Sequence, residues 1–475
     1  MNKPNSISRR GFIKTLSSSA LGVGALATLN QSSFAGTGKT SVGKAKNLIF
    51  MVSDGMDNGT LSAANHWLNL TENRDSNWIQ LYKDRLAVRR LVETNCADSL
   101  VTDSAAASSA WGIGKRVNMR SVNVTPDGAS PTPLGICAKE KGKSVGMVTT
   151  ARITHATPAG FAANVPHRDM ESVIAEQYLE RKIDVLLGGG DEHFNPEKRE
   201  DGKDLYSAFS AKGYQVLKSK EGLLNKGMSG EALLGVFSED HIPYWIDREN
   251  IEAIGSKTPS LEEMTEVALK RLQKNPTGFF LQVEAGRVDH AGHANDAAAI
   301  VTEQLEFDRT IKLVRKFAEA NPDTMVIVTT DHGTGGFMLN GADEGYQYTA
   351  ERFLKLGNCK GSYTTIESHM NPKDPHGTWV RAVESVLNIQ LDASEKESLM
   401  HALTLPEDKG LYSASKRIAE AIKPIAYNRF STEWTSYNHT ADVVEMAMWG
   451  PGAEELPGYI ENWELHQVIR DYLAI

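Results

Sequence analysis

The chain has 475 residues, of which 40% are apolar and 23% charged, with 40 Gly and 17 Pro. That balance suits one large α/β domain or two ordinary ones, and it excludes a disordered, collagen-like or membrane-embedded chain. Lysine and arginine number 51 against 60 acids, a formal charge of −9, so no electrostatic hold on nucleic acid or an anionic membrane face is expected.

At the amino terminus, Ser8-Arg9-Arg10-Gly11-Phe12-Ile13-Lys14 is polar and basic, and an apolar run follows from Leu16 to Leu29. That run is shorter than the roughly 20 residues a membrane-spanning helix needs. Ser33-Phe34-Ala35 then offers small residues where a signal peptidase reads, before Gly36. Residues 1–35 are therefore expected to be a signal peptide cleaved near Ala35. The paired arginines with Phe12 and Lys14 resemble a twin-arginine signal, which hands folded proteins to the export machinery. The mature chain is expected in the bacterial periplasm or beyond.

From residue 36 onward, short β-branched and apolar runs alternate with helical patterns. Strands are expected at Asn47–Ser53, Ser144–Thr149, Asp184–Leu187, Gly278–Val283 and Thr324–Thr329. Helices are expected at Leu261–Gln273 and Ala297–Glu319, among others. Nearly continuous hydrophobic strands are those buried on both faces, so the fold class is α/β: a doubly wound, mainly parallel sheet with helices on both faces. No repeat or low-complexity linker divides it.

The residues that end these strands are informative, because ligands in open α/β sheets bind beyond the carboxyl ends of strands. The first strand ends at Asp54-Gly55, the fourth at Glu284 and the fifth at Thr330-Asp331-His332-Gly333. One such acid is commonly a cap; three brought together repel and call for a cation. Asp289-His290-Ala291-Gly292-His293 follows Glu284, and on a helix its i and i+4 positions put a carboxylate and an imidazole on one face. His439 stands in a polar loop before the apolar run Val443–Trp449. Mixed nitrogen and oxygen donors suit zinc; carboxylate and hydroxyl oxygens alone suit magnesium. The histidines at His66, His241 and His401 have no comparable company and read as structural or surface residues.

Two further stretches bear on chemistry. Thr102-Asp103-Ser104-Ala105-Ala106 reads as a helix start capped by Asp103 or Ser104, where free N–H groups can seat a phosphate and a hydroxyl beside zinc can attack phosphorus. Thr154-His155-Ala156-Thr157-Pro158 offers a hydroxyl for a hard cation, and Arg168 beyond it is either a surface charge or a fork for two phosphate oxygens. The three cysteines, Cys96, Cys137 and Cys359, match no zinc or redox spacing and read as buried, inert thiols.

In combination these blocks, Asp54-Gly55-Met56, Thr102-Asp103-Ser104-Ala105-Ala106, Ala156-Thr157-Pro158-Ala159, Phe279 to Glu284 and Thr330-Asp331-His332, resemble the metal-dependent alkaline phosphatases from about Asn47 to His439. The resemblance implies hydrolysis of small phosphate monoesters through a phosphorylated Ser104. It also implies one Zn2+ on Asp289, His293 and His439, a second Zn2+ on Asp54, Asp331 and His332, and a Mg2+ on Asp54, Thr157 and Glu284. Arg168 falls at the phosphate-clamping arginine. His155 and His290 stand beside the phosphate or the third metal; the best-known bacterial members carry aspartate and lysine there, and animal-type members histidines. Sulfatases require a Cys/Ser-x-Pro-x-Arg context that the residues after Ser104 do not supply.

The 107 residues from His332 to His439 exceed what those bacterial members require, so an insert is expected at about 339–430. Thr378–Leu387 and Ala393–Leu403 read as helices, and Asn340–Tyr348 and Thr404–Gly410 as loops. A lid, a dimer crown and a surface addition are all compatible with this pattern; an interface or rim role in a homodimer is favoured.

Overall fold

The computed structural model describes residues 45–230, 232–341, 345–371, 375–402 and 413–475. The expected signal peptide with its cleavage site near Ala35, and the expected loop at Thr404–Gly410, lie outside the described residues.

A ten-stranded sheet organises the molecule. In chain order its strands are β1 (Asn47–Val52), β2 (Val88–Glu93), β3 (Ser144–Arg152), β4 (Val185–Gly189), β5 (Gln215–Leu217), β6 (Leu233–Val236), β7 (Phe279–Glu284), β8 (Thr324–Thr329), β9 (Val444–Trp449) and β10 (Tyr459–Glu461). Their spatial order is β10-β2-β9-β8-β1-β7-β3-β4-β6-β5. β1 runs parallel to both neighbours, with Val52 opposite Glu284 of β7 and opposite Thr329 of β8. β9 is antiparallel to both β8 and β2, so the sheet is mainly rather than wholly parallel.

Ten of the helices are α1 (Ser104–Ile113), α2 (Ala156–Ala162), α3 (Trp245–Asn250), α4 (Leu261–Leu272), α5 (Arg287–His293), α6 (Ala297–Ala320), α7 (Tyr363–Ser368), α8 (Pro375–Leu387), α9 (Ala393–Ala402) and α10 (Ser413–Phe430). Alternation along β1 shows why its run is continuously apolar. Ile49 and Met51 enter one core with Met264 of α4 and Phe307 of α6, while Leu48, Phe50 and Val52 enter the other with Trp111 of α1 and Phe161 of α2. Both faces are therefore covered, as the strand pattern requires. α4 begins with a capping box, Ser260 accepting from Glu263 N while the Glu263 side chain accepts from Ser260 N. The expected helices after β8 are present as α8 and α9, and the expected loop at Asn340–Tyr348 ends in a single 3-10 turn at Tyr346–Tyr348.

α6 carries a buried carboxyl with a testable consequence. Glu303 is fully buried, and burial together with the Glu306 charge raises it to about 8. One of its oxygens accepts from Trp245 N, and the other has no partner. An acid raised from its ordinary value of 4.5 to about 8 binds more protons folded than unfolded between those values. Stability therefore falls as pH rises through that window and stays low beyond it. Glu303→Gln is expected to be more stable than the parent at pH 9, with the advantage vanishing below about pH 4.5, as read from urea midpoints at several pH values.

Candidate active site and metal centre

The carboxyl ends of β8, β1 and β7 bring the strand-end acids together. Asp54 sits in the turn after β1, where Gly55 has φ +72° and its N–H donates to Asp331 Oδ1 at 3.0 Å. A side chain at Gly55 would meet Asp289 Cα at 2.6 Å, so the turn packs directly against α5. Asp54, Glu284, Asp331 and His332 are all fully buried. His332 Nε2 lies 3.3 Å from Asp331 Oδ2 and 3.8 Å from Asp54 Oδ1. Thr157, on α2, has its hydroxyl 3.4 Å from Asp54 Oδ2.

A second group forms where α5 meets the loop carrying His439, which pairs through His439–Thr440 with Gly333–Thr334. Asp289 Oδ1 is 3.5 Å from His293 Nε2 and 3.6 Å from His439 Nε2. Each ring is oriented through its other nitrogen: His293 Nδ1 lies 2.6 Å from Tyr437 O and His439 Nδ1 2.7 Å from Thr102 O. A carbonyl only accepts, so both Nδ1 atoms carry the proton and both Nε2 lone pairs turn inward, 3.1 Å apart. Two lone pairs at that separation repel unless positive charge lies between them.

Among the described residues, three sets of donor atoms come within 4.8 Å of one another: Asp289, His332 and His439; Asp54, Asp331 and His332; and Asp54, His155 and Glu284. Buried oxygens in them accept no hydrogen bond: Asp54 Oδ1, Asp331 Oδ2 and both of Glu284. Burial, then the Asp331, Asp289 and Glu284 charges, lifts Asp54 well above the usual carboxylate range, and burial raises Glu284 to about 7 and Asp331 to about 6. Burial also lowers His155 and His439 to about 3 and His332 to about 4, so these rings are neutral at pH 7. Repelling, unpartnered carboxylates beside neutral imidazoles fit bound cations.

The serine and arginine stand against this cluster. Asp103 caps α1, its Oδ1 accepting from Ala106 N at 3.1 Å, and leaves Ser104 as the first helical residue. Ser104 Oγ is 3.2 Å from His332 Nε2. Arg168 donates through Nη1 to Asp103 Oδ2 at 2.9 Å and through Nη2 to His155 Nε2 at 2.8 Å. With Nε2 accepting, His155 carries its proton on Nδ1, 4.0 Å from Glu284 Oε1. His290 Nδ1 is 2.9 Å from Arg287 Nη1, and its ring stands 5.7 Å from that of His155. A cavity of 720 Å³ is lined by Ser104, Arg168, His155 and His290, and by Asp289, His293 and His439 of the second group.

Every candidate site residue thus falls in one continuous region, and two expectations, for His241 and Cys137, are corrected. His241, expected to be structural or superficial, lines the cavity with its ring 4.2 Å from that of His290. It follows β6 at the carboxyl edge of the sheet, the positional cue that marked Asp54 and Glu284. His66 and His401 are exposed, as expected. The three cysteines are free; Cys96 and Cys359 are buried, while Cys137 is only half-buried, short of the buried thiol expected. No helix among the described residues is long and apolar enough to cross a membrane.

Fold and site together define a hydrolase of the metal-dependent kind, with a serine beside a cluster of candidate metal ligands. The chain matches the alkaline phosphatase family model over residues 45–475 and belongs to that family of phosphate monoester hydrolases. It is 32% identical over 455 residues to alkaline phosphatase 4 of Bacillus subtilis (strain 168), covering 94% of this chain and 93% of that protein. The crystal structure of Thermus thermophilus alkaline phosphatase superposes with a TM-score of 0.84 at 34% identity, over 94% of this chain and 96% of the other. A cold-active alkaline phosphatase from a psychrophilic Shewanella gives a TM-score of 0.74 at 30% identity, over 90% and 99%.

Proposed function

We propose that the protein hydrolyses phosphate monoesters to an alcohol and inorganic phosphate through a phosphoserine formed on Ser104. The observation that carries this reading is Ser104 Oγ at the start of α1, 3.2 Å from His332 Nε2, a ring that itself stands beside Asp54 and Asp331. Asp289, His293 and His439 would hold one Zn2+, and Asp54, Asp331 and His332 a second. Asp54, Thr157 and Glu284 would hold a Mg2+, with His155 adjoining it. Two such cations, when bound, stabilise the attacking and leaving oxygens of an in-line displacement and lower the pKa of a bound water.

The chain's own groups do the rest. Ser104 Oγ gives its proton to a solvent base and attacks phosphorus; the bond from phosphorus to the alcohol oxygen breaks, and the departing alkoxide takes a proton from water. Water then attacks the phosphoserine, releasing phosphate and returning the serine, so two inversions give net retention. The Arg168 fork, steadied by Asp103, offsets charge on the non-bridging oxygens, as do the N–H groups at the start of α1. Neutral His290 donates to a phosphate oxygen, and a lysine there would hold product more tightly. His290→Lys is expected to lower the inhibition constant of inorganic phosphate about tenfold, the size of a charge-assisted hydrogen bond; an unchanged or raised constant contradicts this role.

The reading is tested by initial rates on p-nitrophenyl phosphate and bis-p-nitrophenyl phosphate at alkaline pH with zinc and magnesium. A monoester preference of about a thousandfold, near 4 kcal/mol, is expected. A diester preference means a re-purposed pocket, and no turnover on either means a binding protein. Residues 1–35 are proposed to direct twin-arginine export to the periplasm or beyond. The residues at 339–430 are proposed as an insert at the rim of a homodimer; elution as a monomer of about 50 kDa at micromolar concentration removes the dimer.

A further inference from the structure

The cavity of 720 Å³ lies in the range that accommodates a whole small-molecule ligand, so it has room for the alcohol as well as the phosphate. Beyond the proposed metal and phosphate groups its lining includes the ion-paired Arg152, Glu171 and Asp240, and also Tyr244, Arg287 and Thr364. The Arg287 guanidinium lies 3.9 Å over the Tyr244 ring and is fixed by its bond to His290 Nδ1 at 2.9 Å. A guanidinium stacked on one ring is a flat, weakly hydrated platform on which a second planar group stacks.

Thr364 reaches the cavity from α7, more than a hundred residues along the chain from Tyr244, and it is held there by its neighbours. Ser362 donates to Asp247 from both its N and its Oγ, each at 2.7 Å, and Thr365 Oγ1 donates to Asp247 Oδ1 at 2.7 Å. Tyr363 N donates to Asp296 Oδ2 at 2.6 Å. Both carboxylates are buried. Asp247 lies on α3, whose N-cap is Tyr244, and Asp296 caps α6 just after His293. The two latches therefore tie the start of α7 to the segments that carry the platform and the candidate metal ligands, and they leave the Thr364 side chain exposed between two fixed neighbours.

We infer that Tyr244, Arg287 and Thr364 form an alcohol subsite that selects phosphate monoesters of planar-ring alcohols bearing polar atoms, the nucleoside 5′-monophosphates being the class that fits. The ring stacks on the Arg287–Tyr244 pair, and Thr364 Oγ1 hydrogen-bonds its polar edge. This rests on the monoesterase reading above. It also gives part of the region between His332 and His439 a role in specificity.

The test compares kcat/KM for adenosine 5′-monophosphate and glycerol 3-phosphate, two primary alkyl esters whose intrinsic chemistry is matched. The parent is expected to favour the nucleotide by about tenfold or more. Thr364→Ala, Arg287→Gln and the latch variant Asp247→Asn are each expected to lower that ratio about three- to tenfold, the size of one hydrogen bond or stacking contact. A parent ratio near one, or a ratio unmoved by Thr364→Ala and Arg287→Gln while both esters turn over, overturns the subsite alone. No turnover of either ester by the parent overturns the monoesterase reading and the subsite with it.

Discussion

Ser104→Ala is expected to lower kcat on p-nitrophenyl phosphate by about 10³-fold or more while leaving the fold intact. The loss is large because the serine is a reactant: without Oγ there is no phosphoserine, and the one-step attack by water lacks a nucleophile held at the start of α1. The fold is spared because the cap of α1 is Asp103, whose carboxylate accepts from Ala106 N and also from Arg120 N at 3.1 Å. Loss of Oγ removes one contact, to His332 Nε2, and no helix cap. Urea unfolding of the variant should therefore match the parent within about 0.5 kcal/mol. Quenching the parent in acid during turnover should trap one labelled phosphate per chain, and the variant none. A fall in kcat of less than tenfold, with no trapped phosphate in the parent, would mean direct hydrolysis by water.

Much of the site was readable because its residues carry their position with them. Asp54, Glu284 and Asp331 each stand at the end of an apolar run, and in a parallel sheet such ends converge on one edge. Asp289 and His293 are four apart on α5, as their spacing suggested. Thr324–Thr329 is a strand with the expected bounds, since both its faces are buried and every residue is apolar or β-branched. Where only one face is covered the signal fades. β2 was not recognised, because its Arg89 is exposed and its Arg90 is buried through bonds to the carbonyls of Ala453 and Leu456, partners 363 and 366 residues away. β9 showed in the sequence only as an apolar run after His439. Its antiparallel direction depends on which strands it joins, which no local pattern encodes. His241 and Thr364 were missed for the same reason. Each owes its place in the cavity to contacts with distant segments: Arg152 N donates to His241 Nδ1 at 3.1 Å, and Asp247 grips the residues on either side of Thr364.

Asp54→Asn is expected to uncouple stability from metal. Asp54 belongs to two of the three donor sets, so its carboxylate is the one group that both share on either side of β1. In chelated protein it is a liability: one oxygen has no partner, and Asp331 and Glu284 repel its charge. An amide of the same shape removes that repulsion and supplies an N–H donor to the unpartnered oxygens of Glu284 or Asp331. The chelated variant should therefore melt at a higher temperature than the chelated parent at pH 8. Addition of zinc and magnesium should reverse the order. Metal at 100 times its dissociation constant stabilises the parent by about 2.7 kcal/mol, whereas a variant whose two sites have each lost a carboxylate gains little at the same concentration. Turnover should fall with the affinity, by about 100-fold or more at fixed metal. A variant that melts below the parent under chelation, yet gains as much from zinc, would show that Asp54 acts through packing around Gly55 and not through shared cations.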